Sequence, residues 1–180
     1  MTTHDTEISE TALARPDWRT VQDLQWVQPR RFVRHWELRD GETRLAFVWW
    51  RGAFRRGFGA LTRDGAWRFA HPFFWNSMSI LREGEDEPVV QARSRFLGRA
   101  SIERRAGEAL EWRRAGWLTH RFAVVTSEGL PLVSIALQRG FFRREASVRL
   151  EDAARALPDL EQLVLLGWVL ALATQRPHAR

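Results

Sequence analysis

The chain has 180 residues, 44% of them hydrophobic, and a formal net charge of +6. That length fits one domain with a sizeable core. With no Cys, disulfides, thiolate metal sites and a Cys nucleophile are excluded. All 28 basic residues are Arg, and 10 Trp and 11 Phe stand against no Tyr; a GC-rich genome produces a bias of this kind. The charge is uneven. Residues 1–29 hold Arg15 and Arg19 against five acids, a balance of −3, which leaves 26 Arg against 17 acids, or +9, for the rest. A basic folded body attracts anionic partners such as phospholipid head groups or nucleic acid.

In chain order, residues 1–16 are polar and acidic and lack an apolar stretch of the secretory kind. They are expected to form a disordered tail, with a cytoplasmic protein as the default. Trp18, Val21 and Leu24 recur at three-residue intervals, which predicts a short helical turn over Asp17–Val27 leading into a single domain, 17–180. From Arg30 onward, Asp40-Gly41, Asp64-Gly65 and Glu128-Gly129 separate short apolar runs, and such dipeptides are hairpin signals. Alternation within the runs predicts strands: Phe32, Trp36 and Leu38 on one face, then Trp67 and Phe69, Leu110 and Trp112, Leu118, Phe122 and Val124, Val133, Ile135 and Leu137, and Ala146, Val148 and Leu150. About eleven strands fit between Arg30 and Leu150, in a spacing that favours an antiparallel meander. Alternation fails over Leu45–Trp50, apolar on both faces, so this segment is expected to be covered outside, by the N-terminal segment, or to offer a binding patch.

The end of the chain differs. From Leu163 to Ala173 every residue is apolar or Gly, so a helix here has no polar face and must be surrounded. The run is about 11 residues, short of the ~20 that span a bilayer. Pro158 suits the first helical position and Asp159 and Glu161 complement the N-terminal dipole, which predicts a buried helix over about 158–175. At 1.5 Å per residue it is roughly as long as a barrel is tall. The fold class that follows is all-β with one central helix: a closed antiparallel barrel of about 11–12 strands around a hydrophobic C-terminal helix. Gly167 is expected where a bulky barrel side chain presses close.

This layout resembles the tubby-like barrel superfamily: tubby C-terminal domains, phospholipid scramblases and LURP-one-related proteins. The residues that carry the likeness are the hairpin Asp64-Gly65-Ala66-Trp67-Arg68-Phe69, the aromatic strands after it, and Leu160 to Ala173. It spans roughly Arg30 to Gln175. The resemblance implies a barrel of about twelve strands closed around the C-terminal helix, and anionic-lipid binding through basic residues on the barrel. No phosphoinositide site of the family is matched residue by residue. The acids near the helix start, Glu151, Asp152, Asp159 and Glu161, do not match the calcium-binding stretch of the scramblases.

Chemistry is sparse. Arginines recur in pairs: Arg30-Arg31, Arg55-Arg56, Arg104-Arg105, Arg113-Arg114 and Arg143-Arg144. Guanidinium forks suit phosphate oxygens, so pairs at hairpin tips gathered at one barrel end would make an anion-binding rim. Arg55, Arg56, Arg104, Arg105, Arg143 and Arg144 are the candidates, with Phe54, Phe58, Phe141 and Phe142 beside some of them. The plain alternative is solvated arginines paired with nearby acids. The acidic run Glu83-Gly84-Glu85-Asp86-Glu87 matches no calcium-loop spacing. His35, His71 and His120 form no metal-ligand pair, and His120 shares a predicted inner face with Phe122. Nucleophile-elbow, Walker and dinucleotide glycine patterns are absent. Pro72-Phe73-Phe74-Trp75 fits an aromatic membrane tip or a plug for one barrel end. The expected function is a non-enzymatic binding or scaffold protein without catalytic residues, metal or cofactor, whose partner is an anionic membrane surface or phosphoinositide. Nucleic-acid binding through the arginines is one alternative. A small-ligand carrier or enzyme using a barrel mouth is the other, and a filled bore argues against a carrier.

Overall fold

The computed structural model describes residues 13–30, 33–51, 57–70, 77–95, 99–115, 120–139 and 144–174, the side chains of Arg139 and Arg144 excepted. Twelve strands follow one another: β1 (Leu24–Val27), β2 (His35–Asp40), β3 (Thr43–Trp50), β4 (Phe58–Thr62), β5 (Gly65–Ala70), β6 (Ser77–Arg82), β7 (Val90–Arg95), β8 (Arg99–Arg104), β9 (Leu110–Arg114), β10 (Arg121–Val125), β11 (Pro131–Arg139) and β12 (Arg144–Leu150). Two helices follow among the described residues, α1 (Asp152–Arg155) and α2 (Leu160–Thr174). Each strand pairs with the next, and β1 pairs with β12, so the meander closes into a barrel. All the pairs are antiparallel. Closure leaves no sheet edge to be protected.

The expected helical turn over Asp17–Val27 is corrected. A turn forms at residues 18–20, but Leu24–Val27 is the strand that closes the barrel, pairing with β2 and β12. Leu24 and Trp26 point inward and are buried. Four residues of alternation are too few to override the three-residue spacing of Trp18, Val21 and Leu24. The boundary of the expected tail also moves. Residues 1–12 lie outside the described residues, but Leu13 is buried, the Ala14 N–H donates to the Arg44 carbonyl at 2.9 Å, and Arg15 pairs with Asp64.

The loss of alternation in β3 has two causes. The pairing Leu38↔Ala46 is followed by Arg39↔Arg44, so Leu45 is an extra residue in a bulge, and both Leu45 and Ala46 join the core. Phe47 and Trp49 face outward and are half-buried. Phe47 packs between His35, at 4.9 Å, and Trp49, at 5.8 Å. Trp49 lies across Gly59 of β4, where a Cβ would stand 2.6 Å from the indole. This glycine is the slot for a tryptophan on the outer wall.

Helix α2 fills the bore. Leu163, Val164, Leu165, Leu166, Trp168, Val169 and Ala171 have no exposed surface. Trp168 stacks on Trp26 with ring centres 5.1 Å apart and meets Trp36 edge-on at 6.0 Å. A quarter-turn away, Gly167 faces β11 and β9: a Cβ there would lie 2.9 Å from Ile135 Cδ1 and 3.3 Å from the Trp112 ring. The glycine lets the helix approach the wall where those two large side chains enter. No helix among the described residues is long and apolar enough to cross a membrane.

Candidate functional site

In an unbroken meander the connections alternate between the two ends, so strand parity sorts the charges. The end where α2 begins carries the acids: Asp40, Glu42, Asp64, Glu83, Glu85, Asp86, Glu87, Glu108 and Glu128 lie at or between strand ends there. Several arginines at this end are engaged. Arg39 and Arg44 share Glu37, Arg105 meets Glu87 at 2.8 Å and Arg149 meets Glu151 at 3.0 Å. The acidic run is held the same way: Glu83 by Arg51 and Asp86 by Arg68, at 3.0 and 3.1 Å. Among the described residues no three His, Asp or Glu side chains group as a metal site.

The innermost of these pairs anchors α2. Asp159 immediately precedes the helix and is buried. Arg104 grips it with two charge-assisted bonds, Nε to Oδ2 at 2.7 Å and Nη2 to Oδ1 at 2.5 Å, and both side chains are under 5% exposed. Its remaining donors reach the carbonyls of Ala106 and Glu108. Two residues on, Glu161 is also buried, and its Oε1 has no partner. Burial pushes its carboxyl up to about 7; the Thr62 hydroxyl and Arg15 oppose that shift and the charge of Asp64 adds to it.

The end where α2 stops is basic. Arg30 and Arg34 lie between β1 and β2, Arg95 ends β7 and Arg99 begins β8, Arg114 ends β9 and Arg121 begins β10, and all are exposed. Arg30, Arg34 and Arg121 have no carboxylate partner among the described residues. Arg95 and Arg99 share the field of Glu111, whose carboxyl is held below its usual range first by a hydrogen bond from Arg113, at 2.8 Å, and then by the neighbouring guanidinium charges. Three arginines thus surround one carboxylate. The C-terminus of α2 contributes only about half a negative charge, too little to balance this rim. A ring of twelve strands at ~4.8 Å spacing is roughly 20 Å across, so these cations share one face of the molecule.

The candidates named from sequence fall apart between the two ends. Arg104 is buried against Asp159 and Arg105 is paired with Glu87, both at the acidic end; Arg104 is therefore a structural ion pair and not part of an outward rim. Arg144 begins β12 at the basic end and is described for its backbone alone, while Arg55, Arg56 and Arg143 lie outside the described residues. So do His71, Phe32, Phe54, Leu118, Phe141, Phe142 and the run Pro72–Trp75. Phe58 is a core residue. His120 is half-buried at the mouth beside inward Phe122. Of the arginines that do gather, Arg30 and Arg114 belong to doublets that were not chosen as candidates, and Arg34, Arg95, Arg99 and Arg121 are single residues beside strand ends. Strand parity was the signal that could have found them.

A cavity of about 250 Å³ opens at the same end. Its walls are Met78, Ala92, Ala100 and Trp112 from the barrel and Leu170 and Ala173 from the last turn of α2. Ser77, Ser94, Thr174 and Arg99 line it as well. The bore is filled along the body of α2, and among the described residues this hollow lies at its basic mouth. Comparisons with protein-family models, curated proteins and solved structures find no match; the reading of this site rests on its own geometry.

Proposed function

We propose that the protein is a non-enzymatic binding protein that docks on anionic phospholipid surfaces through the arginine-bearing end of its barrel. The observation that carries this reading is the gathering of charge: Arg30, Arg34 and Arg121 stand exposed at one end without a described carboxylate partner, beside Arg95 and Arg99, while the acids of the described turns lie at the other end. A flat array of guanidinium forks about 20 Å wide suits a field of phosphate head groups. On this reading the protein is cytoplasmic and peripheral to the membrane.

Sedimentation with vesicles tests it. Vesicles containing phosphatidylserine and phosphoinositide should carry the protein down, and phosphatidylcholine vesicles should not. Replacing Arg30, Arg34, Arg95 and Arg121 together with Gln removes four cations without touching a described ion pair. Each contributes about 1 kcal/mol near an anionic surface, so binding should fall by two orders of magnitude or more, and raising the salt should act in the same direction. Equal sedimentation with both vesicle types, or an unchanged affinity of the fourfold variant, would remove this reading. Tighter binding to single-stranded nucleic acid than to vesicles would assign the same rim to a different anion.

A further inference from the structure

The structure assigns a second role to the basic mouth: we infer that the cavity takes the alkyl chain of a single-chain amphiphile whose anionic head pairs with Arg99. The inference deepens the membrane reading, with which it shares Arg99 alone. The chemistry on both sides of the entrance points this way. Inside, Met78, Ala92, Ala100, Trp112, Leu170 and Ala173 supply apolar surface from three sides. An apolar engineered cavity of about 150 Å³ stays dry and takes benzene; this one, at about 250 Å³, has room for several methylenes. Small residues keep it open. Ala92 and Ala100 face it from β7 and β8, and Ala173 from the helix, where longer aliphatic side chains would close it and add burial. A wall built only for stability is filled at such positions.

At the entrance the charge has one sign. Arg99 lines the cavity and is exposed. Glu111, whose field it shares, already accepts from Arg113, so the guanidinium fork of Arg99 is available to an incoming head. A carboxylate or phosphate there gains charge-assisted bonds, while the chain leaves water for the cavity. A neutral head gains only the second of these, and an apolar ligand without a head has nothing to match the arginines. Two sources supply one alkyl chain on an anion: a free fatty acid and a lysophospholipid.

Calorimetry with decanoate, lysophosphatidate and the neutral alcohol decanol tests the inference, on monomeric ligand and without vesicles. Saturable one-to-one binding of decanoate or lysophosphatidate is expected, and the tighter of the two identifies the head. Arg99→Gln should weaken both anions roughly tenfold to a hundredfold, as loss of a charged hydrogen bond does, and leave decanol unchanged. Ala173→Leu should weaken all three ligands by a similar factor by filling the cavity. Ser94→Leu does the same from β7 if Ala173→Leu fails to fold, as judged by circular dichroism. Absence of saturable binding of either anion, or a folded filling variant that binds as the parent does, overturns the inference. Vesicle sedimentation run in parallel separates the two readings. Loss of monomer binding with vesicle binding intact sinks this inference alone, and the converse sinks only the surface reading.

Discussion

Arg104 shows how a single side chain can look like a ligand site and be a rivet. Its doublet with Arg105 suggests an exposed anion contact, yet the barrel encloses it against Asp159 at 2.5 Å, directly at the start of α2. Removing one partner of a buried pair strands the other charge, which costs about 3–5 kcal/mol. Arg104→Met should therefore lower stability by that amount in urea unfolding, and adding Asp159→Asn should recover a large part of it, because the stranded charge is then gone. A full loss that persists in the double variant would show that packing, not charge, is what Arg104 provides. Glu161 is the opposite case, a buried acid with one oxygen unpartnered. Its carboxyl titrates near 7 in the folded chain against an ordinary 4.5. The folded state thus binds the proton more tightly than the unfolded one. Its stability is fully present below about pH 4.5 and is lost as pH rises through 7, by roughly 3 kcal/mol in all. Glu161→Gln should raise the melting temperature at pH 8, have little effect at pH 4.5, and flatten the decline between them. Equal shifts at both pH values would mean that Glu161 is not the group responsible.

At the scale of the element, α2 is held by shape on every side, and Gly167 is where the fit is tightest. Glycine costs a helix interior about 1 kcal/mol relative to alanine. The gain expected from Gly167→Ala is cancelled by the 2.9 Å approach of Ile135 Cδ1, because overpacking a dense core costs about 1–3 kcal/mol. Ile135→Val removes that methyl at a cost of about 0.5–1.5 kcal/mol and opens the space. The double variant should then be more stable than the sum of the single changes predicts, with a favourable coupling of about 1 kcal/mol. Strict additivity in thermal or urea unfolding would show that Trp112, 3.3 Å away, sets the limit instead. Strand β1 carries the matching feature on the other wall, since its Trp26 is the face on which Trp168 stacks.

For the whole molecule, barrel and helix are one structure. Residues from β1 to β12 and from α2 form a single buried cluster, and α2 supplies its centre. Each fully buried large aliphatic contributes ~1.5–3 kcal/mol against a net domain stability of ~5–15 kcal/mol. Leu166, with no exposed surface, has no route to water for a charged head. Leu166→Arg should leave the protein insoluble on expression, and a folded monomer with a normal melting curve would contradict the enclosure of the helix. The same closure gives the molecule its polarity. Twelve strands with alternating connections turn a scattered linear charge pattern into an acidic end, where α2 enters, and a basic end, where it stops and the cavity opens.

Local periodicity determined much of this by itself. Alternation and Gly-bearing turns mark nearly every strand, and an apolar stretch without a polar face, too short for a bilayer, had to be wrapped by those strands. These are consequences of where side chains point along a chain, and sequence carries them. What it could not carry depends on which distant residues meet. β1 became a strand because β2 and β12 needed a neighbour to close the ring, and no local signal reports a missing neighbour. Arg104 was buried by an acid 55 residues away. The rim of arginines and the hollow beside Arg99 exist only because closure brings alternate turns to one end, where the barrel wall and α2 meet around them.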